Sequence, residues 1–435
     1  MREVYDLSHY IHSLGDAGQL QCLGVIPTLP GDSFDIDYQA TVRLASLRRS
    51  LTTDAVVDVF AFWDPHRHSY DGDGTDNLFL KMYTEGVTTT TTLPAFTLDK
   101  AHSCLGQREL QGSLPAWRVK PYDNIYNWFF KHPTDDNIYL VAPPTGKTAT
   151  TSLKRRLFGQ NCCHLKRLWN TGLDKTKSKA LGNDVYGASV SNNEAAVDVW
   201  GLKEEAAKYN NLAQRDWFSV RYHDLLKSQF GSSVNIDVEK RPRLLKRETH
   251  YLSGYDIDGT ADGNMGQVAS KAFGNVRLRV PRVFIPEHGS IWLMMLVRFP
   301  CIHTDETHYL NKKPSPTYEE IMGDAAIVSQ QKPHELLSKE LFQSSNSNQT
   351  LGLQPYGQWY RQQPDVVHKL YDSLNGFPFL DRYPVSISDA HYSTAKDYDV
   401  VFQSPSMLGH WQSAAHCNIA VHRVYNNARA NLFVD

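Results

Sequence analysis

Asp256 and Asp258 stand two residues apart in Gly254–Asn264, which reads GYDIDGTADGN. Asp-x-Asp-Gly-Thr is the pattern of phosphatases whose first carboxylate attacks phosphorus while the second manages the leaving group's proton. That chemistry needs the first Asp at the carboxyl end of a buried parallel strand, so an apolar run must lead into it. Here the lead-in is ETHYLSG, polar and broken by Gly254, and Asp262-Gly263-Asn264 follow soon after. An Asp/Gly turn whose carboxylates bond backbone amides accounts for the same residues. A phosphatase or nucleotide hydrolase using Asp256 and Asp258 stands as the enzymatic alternative.

Other stretches imitate sites and miss a required part. APPTGKTATTS (Ala142–Ser152) places Lys147 as a phosphate-binding loop would, but Val141 occupies the position of the motif's first Gly. Pro143 and Pro144 also remove amides that would cradle phosphate. In PHRHSYDGDGTDN, His66 and His68 are candidate metal ligands, and Asp71, Asp73 and Asp76 resemble a calcium loop. The twelfth loop position is Met82, where a bidentate Glu is needed. Cys162 and Cys163 are adjacent, so their side chains diverge, and none of the six Cys forms a Cys-x-x-Cys pair. Neither metal nor cofactor is expected, and the thiols read as free and mostly buried, in a reducing compartment.

The formal net charge is −2, so nucleic-acid contact would need a local basic patch or a separate basic partner. Three clusters qualify: Arg43 with Arg48 and Arg49; Lys154, Arg155 and Arg156; and Lys240, Arg241, Arg243, Lys246 and Arg247. Tyr251 and Tyr255 follow the last one, and cations beside aromatic rings suit single-stranded nucleic acid. The last cluster is therefore the candidate DNA-facing site; the competing reading is a solvated face or an ion-pair partner.

These residues need elements to position them. Phe34, Ile36, Tyr38, Ala40, Val42 and Leu44 alternate with mostly polar neighbours, which predicts a half-buried strand. QCLGVIP, Ala55–Trp63, the two halves of Arg279–Pro300 around Pro-Glu-His-Gly, and Cys417–Tyr425 read as further strands. Leu202, Ala206, Tyr209, Ala213, Trp217 and Val220 recur at helical spacing, and Asp123–Pro133 reads as a short aromatic helix. Residues 1–435 are read as one jelly-roll domain with strands near 20–63, 276–300 and 398–425. Insertions of 64–275, with a helix at about 201–230, and of 301–397 separate them. No apolar signal segment opens the chain, and the longest apolar run, Ile291–Val297, is too short to span a bilayer.

Several blocks taken together say more than any fragment. In order they are PGDSFDID, VRLASLRRSL, FAFWDPHRHSY, NIYNWFF, CCHLK, RYHD, SGYDIDGT, VPRVFIPEHGSIWLMMLVRFP, GQWYR, GFPF and DYDVVFQS. The set resembles the major capsid protein of phiX-like microviruses, from about Leu7 to about Val424. The resemblance implies a mainly β fold: an eight-stranded antiparallel jelly-roll barrel with large loop insertions and a few helices. It implies no catalysis. It also implies a T=1 icosahedral shell of sixty chains, assembled through pentamers around single-stranded DNA. The implied partners are a spike protein, a small basic DNA-packaging protein, scaffolding proteins and host lipopolysaccharide. Assembly in the host cytoplasm and residence in the virion follow from the same resemblance. A spike or receptor-binding jelly roll is the other non-enzymatic reading.

Overall fold

The structure is a computed structural model. It describes residues 3–47, 54–70, 77–85, 93, 95–97, 105, 113–130, 241–258, 268–299, 302–303, 307–328, 334–341, 348, 350–354, 356–361, 363, 380–381, 402 and 409–423. Its strands are β1 (Glu3–Asp6), β2 (His9–Gly15), β3 (Leu20–Thr28), β4 (Ser33–Leu44), β5 (Ala55–Pro65), β6 (Ala95–Thr97), β7 (Ser113–Pro115) and β8 (Arg243–Asp258). β9 (Val268–Phe284), β10 (Gly289–Arg298), β11 (Ile302–His303), β12 (His334–Leu337), β13 (Thr350–Gln354), β14 (Leu380–Asp381) and β15 (Trp411–Arg423) follow.

Nine of these strands form one sheet in the order β1-β15-β4-β9-β8-β5-β10-β3, with β2 also on β15. β1 pairs with the Ala420–Arg423 end of β15 and β2 with its Trp411–Cys417 end, so the two share one edge and the sheet has eight places. Every pairing in it is antiparallel. The sheet curls into a half-barrel, as expected of a jelly roll.

β4 follows its sequence pattern. Phe34, Ile36, Tyr38, Ala40, Val42 and Leu44 are buried in the barrel, while Asp35, Gln39 and Arg43 are exposed. β5 and β10 are buried on both faces for a different reason. Val57, Val59, Ala61, Trp63, Ile291, Leu293, Met295 and Val297 fill the barrel. Phe60, Phe62, Trp292, Met294 and Leu296 face an outer layer containing Val119, Tyr122, Ile125 and Tyr126. Two-sided burial is what makes β10 a continuous apolar run rather than an alternating one.

The outer layer includes helices α1 (Leu78–Glu85) and α2 (Lys120–Ile125), the latter continued by a π turn over Tyr126–Phe130. The Tyr122 hydroxyl donates to the Leu20 carbonyl at 2.6 Å and ties α2 to β3. Of the aromatic helix expected over 123–133, residues 123–130 are helical in this layer, and 131–133 lie outside the described residues.

The 64–275 connection expected from sequence holds a strand of the sheet. β8 pairs with β5 over Arg243–Leu252 and with β9 over Ser253–Asp258, passing from one half of the barrel to the other. Its long Lys-Arg-Glu-Thr-His stretch lacks the clean apolar alternation that marks β4, so the strand is not visible in periodicity. The helix expected over 201–230 lies outside the described residues.

Candidate functional site

The carboxylate pair comes first. Asp256 and Asp258 lie on β8, opposite Ser270 and Val268 of β9 in antiparallel register. A phosphatase nucleophile requires the end of a parallel strand, and this backbone does not provide one. Lys147, Cys162, Cys163, Asp71, Asp73 and Asp76 lie outside the described residues. Of the two histidines, His68 sets its Nδ1 2.7 Å from the buried Asp64 carboxylate. His66 packs between the Phe79 and Trp117 rings. Among the described residues, no group of three or more His, Cys, Asp or Glu side chains is arranged to hold a metal ion.

The basic cluster is divided by the strand that carries it. Lys240 lies outside the described residues. Arg241 places its guanidinium 5.3 Å from the Phe129 ring centre and 5.8 Å from that of Trp128, against the outer layer. Arg243 is exposed. Lys246 is opposite Ala61, and its Nζ lies 3.8 Å from Glu248. Arg247 sits 5.5 Å above the Phe60 ring and donates to Asp58 at 3.0 Å. Successive strand residues point to opposite faces, so Lys246 and Arg247 do not share a surface.

Asp58 explains why Arg247 is held. Its carboxylate, 1% exposed, accepts from Arg298 Nε at 2.7 Å, from Arg247 Nη2 and from the Thr249 hydroxyl. Burial by itself raises the pKa of this group. The Thr249 and Arg298 hydrogen bonds and the two guanidinium charges outweigh burial and hold the carboxyl below its ordinary range.

A different grouping lies on the outer face of the other half of the sheet. Leu14, Gln412, Arg43, Phe273 and Ser253 form one cross-strand rung over β2, β15, β4, β9 and β8. Tyr255 stands opposite Lys271 on β9, and its ring meets that of Phe273 edge-on at 5.8 Å. Tyr251, Phe273 and Tyr255 are 66%, 52% and 46% exposed. Arg43 and Lys271 are exposed beside them, and neither is in an ion pair among the described residues. Further along the face Arg277 closes on Asp37 at 2.6 Å, and that guanidinium holds the Asp37 carboxyl below its usual range.

Reading the sequence singled out Arg43, Tyr251 and Tyr255 but missed Lys271 and Phe273. The available signal was period two in β9, where Lys271, Phe273, Asn275, Arg277 and Arg279 alternate with Ala272, Gly274, Val276, Leu278 and Val280.

An antiparallel half-barrel whose outer face carries exposed cations and rings suits a protein that binds by surface. Comparison with known proteins agrees. The family model for capsid protein (F protein) matches residues 1–194 and 182–430. The chain belongs to this capsid protein family. Capsid protein F of Escherichia phage G4 is 33% identical over 430 residues, covering 97% of this chain and 95% of the relative. Capsid protein F of Escherichia phage alpha3 is 32% identical over 431 residues, and that of Enterobacteria phage phiK 33% over 433, with the same coverage. Membership in the F capsid family gives no support to the phosphatase, nucleotide-hydrolase and spike readings. In this family context the Ser253–Asp258 part of SGYDIDGT is a piece of strand β8, running alongside β9.

Proposed function

We propose that this chain is the major coat subunit of a small icosahedral phage with a single-stranded DNA genome. The observation that carries this reading is the match to F capsid proteins along almost the whole of both chains. Residues 1–435 act as one jelly-roll domain, and the long connections make contacts between copies. Pentamers build a T=1 shell of sixty copies. A spike protein, scaffolding proteins and a small basic DNA-packaging protein complete the particle, and host lipopolysaccharide is the surface it meets. Assembly takes place in the host cytoplasm, and the product resides in the virion. Co-expression with the scaffolding proteins, followed by negative-stain imaging, tests this: closed shells of uniform size are expected. A soluble chain that forms no shell under these conditions overturns the reading.

DNA contact is narrowed from the original cluster of Lys240, Arg241, Arg243, Lys246 and Arg247. Arg241 and Arg247 are occupied by rings and by Asp58, and Lys246 lies near Glu248, which leaves Arg243 exposed. Arg43, Lys271, Tyr251, Tyr255 and Phe273 supply cations beside open rings on one face. A phosphate contact by each Lys or Arg adds roughly 0.7 to the slope of log affinity against log salt, and stacking adds about 1–3 kcal/mol per base. The double variant Arg43→Ala/Lys271→Ala should form shells that release their genome more readily on mild heating. Unchanged genome retention in well-formed shells would remove this face from the DNA contact.

A further inference from the structure

The outer layer meets the barrel at a cluster of histidines. His66 begins the 3-10 turn His66–Ser69 that follows β5, and its backbone amide donates to the His288 carbonyl at 3.0 Å. His288 belongs to the turn between β9 and β10. The His66 imidazole lies 4.9 Å from the Trp117 ring and 5.7 Å from that of Phe79. Phe79 also meets the His288 ring at 6.1 Å, edge-on. Two histidines and two aromatic rings from α1, from the 116–118 turn and from both strand ends therefore close on one point.

Among the described residues, the His66 ring has no acceptor for a second ring proton. Its Nδ1 is buried and has no hydrogen-bond partner among the described residues. The nearby carboxylates are engaged elsewhere: Asp64 with His68 at 2.7 Å and Glu287 with Arg67 at 2.9 Å. The elements packed around the turn carry Lys81 and Glu85 on α1, Arg118 on the 116–118 turn, and Lys120 and Asp123 on α2. Glu85 and Asp123 are the acids among these five. A protonated imidazole would carry a second N–H without an acceptor and would be opposed by the neighbouring His288 charge.

We infer that the contact of His66 with His288, Phe79 and Trp117 is an acid-sensitive latch that holds the helical outer layer against the barrel sheet. Burial, and then the neighbouring His288 charge, push His66 down to about 4 from an ordinary 6.5. The opened or unfolded state therefore binds more protons between pH 6.5 and 4. The latch is fully closed above the ordinary value and is lost as pH falls through this window. At pH 4.5 these two values favour the opened layer by on the order of fiftyfold relative to neutral pH.

Hydrogen exchange on the full-length chain tests this, with protection factors corrected for the intrinsic pH effect and read at 78–85 and 116–130 between pH 7 and 4.5. Wild-type protection should fall by on the order of fiftyfold. His66→Phe keeps a ring between Phe79 and Trp117 without a titrating group, and its protection should stay level. An equal fall in both proteins, or level protection in wild type, overturns the latch. Should His66→Phe fail to fold, His288→Gln gives a second reading. Removing that charge should shrink the fall in protection between pH 7 and 4.5, and an undiminished fall counts against the proposal.

Discussion

Replacing Asp58 by Asn tests whether one buried carboxylate holds three strands in register. Asp58 sits on β5 between Arg247 and Thr249 of β8 and Arg298 of β10. Asn preserves the shape and one acceptor but removes the charge facing two guanidiniums. Breaking a fully buried pair by removing one partner costs about 3–5 kcal/mol. Here Arg247 is 50% exposed and Arg298 20%, so water takes up part of the loss. A cost of about 2–3 kcal/mol is expected. Urea unfolding followed by tryptophan fluorescence at pH 7 measures it. The pH dependence carries a sign. The folded-state value of Asp58 lies below its ordinary 3.8, so its contribution is present above 3.8 and disappears as pH falls through the lower folded value. The gap between wild type and Asp58→Asn should stay constant from pH 7 to 5 and shrink below 3.8. A loss under about 0.5 kcal/mol at pH 7, the scale of an ordinary surface change, would refute the reasoning. So would a gap that does not narrow in acid.

Ile36 is fully buried in the barrel, and Ile36→Asp would place a carboxylate there without a partner, so soluble assembled protein should vanish in size-exclusion chromatography. Gly289→Ala should destabilise by about 1–3 kcal/mol in the same urea assay, because a Cβ there would lie 2.7 Å from the Asp64 carbonyl and 2.7 Å from Trp63 Nε1. A neutral result would show that the strand ends can separate. Purified protein should hydrolyse an aryl phosphate no faster than Asp256→Asn does, and turnover lost in the variant would restore the enzymatic reading.

Much of the barrel was legible from local pattern. β4 announces itself because one of its faces is buried and the other wet, so period two survives in its residues. The Pro286-Glu287-His288-Gly289 turn is readable for an equally local reason, since Pro and Gly restrict and release the backbone. The ordered blocks from PGDSFDID to DYDVVFQS carried the family, because an ordered set spread along a chain is far more specific than any pentapeptide within it. The pentapeptide Asp-Ile-Asp-Gly-Thr was misleading for the same reason: chemistry depends on the strand that delivers the carboxylate, and five residues do not specify it.

Only tertiary structure decided what the cations do. Lys246 and Arg247 are neighbours in sequence and occupy opposite faces of β8. Arg247 is taken up by Asp58, 189 residues away, and Arg277 by Asp37, 240 residues away. Conversely Arg43, Lys271, Phe273 and Tyr255 come together only through the pairing of β4, β9 and β8. A strand's own sequence sets which residues share a face. Which strand lies beside it, and in what register, is settled by burying the whole sheet at once. Whether a charge is free or paired is therefore a property of the assembled fold.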